Sequence, residues 1–387
     1  MAGPLADLVV LDLTRALAGP HCGQMLGDLG ARVIKVETPG GGDDSRSWGP
    51  PFVGPEEDIS TYFLSCNRNK ESVTADLKTD AGKDFLARLI ERADVLIENF
   101  RTGVMDRLGF GMDRMAAINP RLIVLSITGF GHDGPEGGRP GYDQIAQGEG
   151  GIMSITGTDA EHPQRVGVPI ADLLAGMYGA YGILAALHER ERTGKGGVVR
   201  TSLLAAMVGV HAFQGTRYTV AGEVATAQGN HHPAITPYGA FSTSDGTVQL
   251  SVGSQALWRK FAPLVRLDPD DPRFTANSAR TARRDELIAI IEAVFAENTS
   301  EFWLDQLEGI GVPAGAIRTL QQVYDWDQTA SQGLLVEVEH PVLGTVSLPG
   351  PPLRFDGSEP VAHRPPPALG EHNDVVRAWL DEVTPAP

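Results

Sequence analysis

Short apolar runs alternate with longer amphipathic stretches through the first half of the chain. LVVLDL (8–13), ARVIKVE (31–37), SVTADL (72–77), DVLIENF (94–100) and LIVLSITGF (122–130) have the length and apolar content of buried strands. Between them, GPHCGQMLGDLG (19–30), AGKDFLARLIERA (81–93) and MDRLGFGMDRMAAI (105–118) show helical spacing, the second with Thr79 or Asp80 as its N-cap. Strands separated by helices at this spacing imply βαβ units and a parallel sheet. The segment GVPIADLLAG (167–176) then opens a long helix reaching about Thr193, and VVRTSLLAAMVGVHAF (198–213) continues the pattern.

The texture changes after Thr219. AGEVATAQGNHHPAITP (221–237) reads as a linker. YGAFSTSDGTVQLSVG (238–253) reads as a hairpin turning at Ser244-Asp245-Gly246, and DELIAIIEAVFAEN and SEFWLDQLEGIG as two amphipathic helices. A second hairpin, LLVEVEHPVLGTVSLPG (334–350), and a closing helix at the end of RPPPALGEHNDVVRAWL follow. The expected organisation is α/β. A Rossmann-like parallel-sheet domain begins in residues 1–220, a smaller α+β domain occupies 221–330, and 331–387 returns to complete the first.

Composition narrows the function. The 387 residues carry 32 Lys and Arg against 49 Asp and Glu, a net charge of −17. That balance excludes a nucleic-acid or anionic-membrane partner, which needs a basic face. The longest apolar run, LLAGMYGAYGILAAL, is shorter than the roughly 20 residues that span a bilayer, and no signal peptide is visible at the N-terminus. A cytoplasmic protein is expected. Two cysteines, Cys22 and Cys66, are too few for a disulfide framework or a zinc site. His231 and His232 have no third ligand at metal-binding spacing, so no metal is expected.

Gly19, Gly23 and Gly27 recur every fourth residue, which lines a helix face for close packing. The G-x-G-x-x-G loop of a dinucleotide site is absent, although Glu37 stands where its ribose-binding acid would be. Arg15, Arg46, Arg68, Arg101, Arg107 and Arg139 fall near the expected carboxyl ends of strands, where open α/β sheets bind ligands.

Asp172 is the one carboxylate in an apolar, glycine-rich run. Read alone, it is a helix N-cap. The helix it opens carries Gly176, Gly179 and Gly182, which admit close neighbours, and the preceding RVGVPIA offers no countercharge. Ionised with help from the helix dipole and poorly hydrated, such a carboxylate attacks an acyl carbon.

Taken together, LDLTRALAGP, LGARVIKVE, SCNRNKESVTADLK, ADVLIENFRTGVMDRLG, RPGYDQIAQGEGG, GVPIADLLAG, GNHHPAITPYGAF and GVPAGAIR resemble the class III CoA-transferases, which include formyl-CoA and carnitine CoA-transferases. The resemblance runs from about Leu8 to Val375. The tail segments VEVEHPVLGTVSLPGPPLRF and RPPPALGEHN are most similar to the succinate–hydroxymethylglutarate branch.

The resemblance implies Asp172 as a nucleophile that forms an acyl anhydride and then a thioester with coenzyme A. It implies CoA contacts at Leu17, Ala18, Ala75 through Lys78, Asn99, Phe100, Arg107 and Tyr142. Backbone donors for the oxyanion are expected from the loop Gln147, Gly148, Glu149, Gly150. It also implies an interlocked homodimer, acyl-CoA and small carboxylic acids as partners, and no permanently bound cofactor. The chain departs from formyl-CoA transferase at Leu17 (Gln there) and Thr38 (Arg there), and lacks length for a glycine-rich lid after Pro237. Formate and oxalate therefore do not carry over as substrates.

Two other readings compete. An α-methylacyl-CoA racemase of the same fold needs a histidine where this chain has Tyr142, and a glutamate where it has Gln255; a tyrosine is too weak a base near neutrality. A CoA-binding protein without turnover would keep the fold and make no covalent adduct at Asp172.

Overall fold

The computed structural model describes residues 3–356 and 361–382. The chain forms two compact units. The first comprises residues up to Ile152, Arg165–Glu223 and the segment from Gln328 onward; the second comprises Met153–Gln164 and Val224–Asp327.

The first unit is built on a parallel six-stranded sheet: β1 (Val9–Asp12), β2 (Arg32–Glu37), β3 (Lys70–Thr74), β4 (Val95–Glu98), β5 (Ile123–Thr128) and β6 (Gly197–Ser202). Their spatial order is β3-β2-β1-β4-β5-β6. The direction of winding reverses between β1 and β4. Such a switch point opens a crevice beyond the carboxyl ends of the two strands, because their following connections leave toward opposite faces.

One sheet face is covered by α2 (Asp80–Arg92), capped by Thr79, and by the C-terminal helix Asn373–Asp381. Leu11, Ile34, Val73, Leu96 and Val124 pack there with Phe85, Leu86, Leu89, Ile90, Val376 and Leu380. The other face is covered by α1 (Ala18–Asp28) and α4 (Ile170–Thr193), the latter preceded by a short helix, α3 (Asp143–Glu149). The glycines of α4 explain its seating. A Cβ at Gly176 would lie 2.6 Å from the Ala18 carbonyl oxygen, and one at Gly179 2.6 Å from the Leu125 side chain. By length and composition α4 is also apolar enough to cross a membrane, but Ala175, Gly176, Gly179, Ala180 and Ile183 are buried in this packing.

The second unit contains a three-stranded antiparallel sheet in which the hairpin Tyr238–Ser242 and Thr247–Ser251 is joined by Ala314–Ala316. Trp258, Phe261, Phe274, Phe295 and Trp303 fill its core.

The structure shifts several expected elements. The third strand starts at Lys70, because Lys70 and Glu71 are buried by ion pairing to Asp12 and Arg32 and so leave no apolar signature. The helical stretch 105–118 breaks at Gly109, whose φ of 91° belongs to the left-handed region. The linker begins only after a helix over Ala212–Ala221.

Candidate active site

A cavity of about 250 Å³ sits at the switch point. Arg15 to Ala18 enter it from the β1–α1 loop, Asn99 to Thr102 follow β4, and Ile127 to Gly129 end β5. Trp48, Arg139, Tyr142 and Asp172 complete much of the wall.

The β1–α1 loop is fastened from several sides. The Asn99 side chain accepts from the Arg15 amide at 2.9 Å and donates to the Arg15 carbonyl at 2.8 Å. Lys35 donates to the Thr14 carbonyl at 2.8 Å, and Asp43 accepts from the Ala16 amide at 3.1 Å. Ala16 is thereby held at a φ of 67°, which a residue with a Cβ rarely adopts. Below the loop, Lys70 pairs with Asp12 at 2.8 Å and Lys35 with Asp43 at 2.8 Å, all four side chains buried. Burial alone would raise the Asp12 carboxyl, but Lys35 and Lys70 outweigh it and hold it at about 2. These charges are matched inside the protein and leave a rigid backbone at the cavity edge.

Asp172 lies in the first turn of α4, two residues after its first residue, Ile170. It is therefore not the cap. The cap position is Pro169, which has no capping side chain. Asp143 of α3 does the capping instead: its Oδ1 accepts from the Ala171 amide at 2.8 Å and from the Asp172 amide at 3.4 Å. Gln147, fully buried, donates to Asp143 Oδ2 at 2.7 Å and accepts from the Val166 amide at 2.8 Å.

The Asp172 carboxyl is pushed up to about 7 by burial first, and by the Asp143 charge second. The expectation that the helix terminus keeps it ionised is corrected here: desolvation and a like charge outweigh the helix dipole. A carboxyl balanced near neutrality is half ionised at working pH and more basic than an ordinary aspartate, which favours attack on carbon. Burial and the neighbouring Asp172 charge also raise the Tyr62 phenol.

The expected contact residues divide. Leu17, Ala18, Asn99, Phe100 and Tyr142 line the cavity with Asp172. Ala75, Lys78 and Arg107 do not; Ala75 packs in the core beneath α2, Lys78 is exposed just beyond β3, and Arg107 lies exposed in the short helix Val104–Leu108. Asn99 reaches the cavity but its amide is spent on Arg15.

The oxyanion loop is corrected. Gln147, Gly148 and Glu149 are the last residues of α3, and the Gly150 and Gly151 amides donate to the Ala146 and Gly148 carbonyls. A helix C-terminus presents carbonyl oxygens, the wrong polarity for a developing oxyanion. Glu149 pairs on the surface with Arg139 at 2.6 Å.

Other candidates are consumed structurally. Glu37 is buried and bound by Arg46, Ser72 and the Asp43 amide, so it faces no ribose. Arg68 is held by Asp28 at 2.6 Å. His231 packs edge-on to Phe241 and His232 stacks on Tyr238, and no cluster of three metal-ligating side chains occurs among the described residues. Arg15, Arg101 and Arg139 do reach the cavity. No histidine is among the cavity-lining residues described. Asp143 and Trp48 were not foreseen. Asp143 lay in plain view in RPGYDQ, but its partner is 29 residues on, and only the fold brings the two together.

Comparison with known proteins agrees with this geometry. The family model described as CoA-transferase family III matches residues 5–373. Among curated relatives, the chain is 41% identical to succinyl-CoA:glutarate CoA-transferase of Mus musculus, covering 98% of this chain and 86% of that one. It is 39% identical to succinate–glutarate CoA-transferase of Agrobacterium fabrum, over 98% and 96%. It is 38% identical to succinyl-CoA:mesaconate CoA-transferase of Haloarcula marismortui, again over 98% and 96%. A crystal structure of a CAIB/BAIF family protein from Brucella suis superposes with a TM-score of 0.87 at 41% identity, covering 98% of this chain and all of that one. By the match over nearly its whole length, by these relatives and by its fold, this chain is a family III CoA-transferase.

Proposed function

We propose that the enzyme moves coenzyme A from a succinyl-CoA-type donor to a small dicarboxylic acid through covalent intermediates on Asp172. The observation that carries this reading is the placement of Asp172: a partly buried carboxyl, bound by no side chain of the described residues, facing the switch-point cavity with its basicity raised. The relatives named for succinate, glutarate and mesaconate support the choice of acids.

In the proposed sequence, an Asp172 carboxylate oxygen bonds to the thioester carbonyl carbon. The carbon–sulfur bond breaks and CoA leaves as thiolate, giving a mixed anhydride. The thiolate then attacks the Asp172 carbonyl, the anhydride carbon–oxygen bond breaks, and the donor acid departs as carboxylate. The acceptor carboxylate runs these steps in reverse. One thioester is exchanged for another, so no external energy source is needed. Water must stay out, because both intermediates hydrolyse. The small cavity, walled by Trp48, Phe100 and the fastened β1–α1 loop, serves that purpose. CoA is too large for a cavity of about 250 Å³, so its nucleotide end would lie outside, and the resemblance to the family assigns it to Lys78 and Arg107, both exposed.

The same reading pairs two copies of the chain. Tyr181 on α4 is 73% exposed and Val220 83% exposed, apolar surface that a second copy would cover. Light scattering should give twice the chain mass.

A CoA-exchange screen tests the function. Succinyl-CoA is offered with glutarate, mesaconate or acetate, beside an Asp172→Ala control. Transfer to a dicarboxylate and background activity in the control are expected. No transfer to any acid, or full transfer in the control, overturns the reading.

A further inference from the structure

The first turn of α4 presents an unusual arrangement. Its cap residue is a proline without a capping side chain, yet the second and third amides of the helix are both satisfied, by a carboxylate from another helix. That carboxylate is itself fixed. Gln147 holds its second oxygen, and Gln147 is locked in turn by the Val166 amide, three residues before the cap position. The three groups link α3, the irregular segment that enters α4, and the first turn of α4.

We infer that Asp143 is a positioning residue for Asp172: as a cap supplied in trans, it sets where the nucleophile stands and places a second negative charge behind it. The inference rests on the proposed role of Asp172 for its catalytic consequence, though not for its geometry.

Two consequences separate. The capping bonds fix the backbone that carries Asp172, so losing them moves the carboxyl relative to the cavity. The charge of Asp143 disfavours ionisation of Asp172, so removing it lets Asp172 lose its proton at lower pH. The other ionisable groups around Asp172 are Tyr62, raised and neutral, the cavity-lining Arg15, Asp44, Arg101, Arg139 and Tyr142, and His21 and Cys22 of α1, which packs against the first turns of α4; on α4 itself the next ionisable group is Tyr178. None of these makes a hydrogen bond to the Asp172 carboxyl among the described residues, so Asp143 is the group whose removal acts most directly.

The test uses Asp143→Asn and Asp143→Ala. Asn keeps an oxygen for the two amides and removes the charge; Ala removes both. The first readout needs no turnover. The difference in Tm between the enzyme and its Asp172→Asn form is followed from pH 4 to 9. An aspartate with a raised folded-state value weakens the fold as pH climbs from its ordinary range to that value, so Asp172→Asn gains stability progressively across that window. The gain should level off near pH 7 in the wild-type background and about one unit or more lower in the Asp143→Asn background. The second readout is the exchange rate at pH 6 divided by that at pH 8. It should rise from about 0.1 to about 0.5, as follows from a one-unit fall in the midpoint. Asp143→Ala should lower kcat more than Asp143→Asn at pH 8, with KM for the acyl-CoA little changed.

An unchanged levelling-off pH in the Asp143→Asn background overturns the inference, as does Asp143→Ala with wild-type kcat. A merely structural role would lower the rate at both pH values and leave their ratio at about 0.1, the value for an unshifted midpoint. If the exchange reaction itself proves wrong, the Tm titration still decides whether Asp143 acts on Asp172.

Discussion

Substituting Gly176 by alanine should separate the two helices that frame the cavity. The added methyl would stand 2.6 Å from the Ala18 carbonyl oxygen and 3.4 Å from the Cys22 amide nitrogen. A relaxed carbon–oxygen contact is about 3.3–3.6 Å, so α1 and α4 must part by about 0.7–1 Å. The nearest obstacle is backbone, and no rotamer change relieves it. Overpacking of this kind costs about 2 kcal/mol, a Tm loss of about 4–8 °C for a unit of this size. The functional cost is larger. Leu17 and Ala18 open α1 at the cavity wall, and Asp172 sits one turn before Gly176 on α4. A displacement near 1 Å at reacting groups costs about a hundredfold in rate. The assay is kcat for CoA exchange together with differential scanning fluorimetry. Gly197→Ala, with no atom within 4 Å of the added carbon, serves as control and should change neither. Wild-type kcat and Tm in Gly176→Ala would refute the argument that glycine packing sets the site.

Three further outcomes follow from the same geometry. The exchange rate at saturating substrate should rise about tenfold from pH 6 to pH 8, the change in ionised fraction for a carboxyl titrating near 7; a flat profile would contradict the raised Asp172. Lys70→Met strips Asp12 of its closest cation and removes the ammonium that donates to the Pro20 carbonyl and the Asn67 side chain. Breaking a buried pair costs about 3–5 kcal/mol, so Tm should fall by about 6 °C or more, and an unchanged Tm would show that the network is dispensable. Cys22 and Cys66 are buried, and burial pushes both thiols up, Cys66 to about 11; neither should react with a disulfide reagent at pH 8 until the protein is unfolded, and fast native labelling would contradict their placement.

Much of the sheet was legible because its strands are apolar on both faces and its helices carry strong signals, such as Thr79 before α2. The strand order was not legible, since parallel pairing is set by crossovers that leave no local trace. Lys70 escaped notice for a related reason: a buried cation looks exposed in sequence until its partner, 58 positions earlier, is known. The site followed the same rule. Asp172 stood out by local contrast, one charge among glycines and apolar residues. The QGEGG segment misled because glycines mark a helix C-terminus as readily as a donor loop. Asp143, Asn99 and Asp43 hold backbone groups 27 or more residues away, and only the folded chain shows what each one holds.

The central claim is that Asp172 becomes covalently joined to coenzyme A. Incubating the enzyme with succinyl-CoA and no acceptor, followed by intact-mass and peptide mass spectrometry, tests it most directly. The account predicts that the chain gains the mass of CoA less one water, mapped to the peptide containing Asp172, and that borohydride reduction converts this thioester to an alcohol. In Asp172→Asn the adduct should vanish. Full CoA exchange with no adduct at any stage, or with the adduct on another residue, would contradict the account.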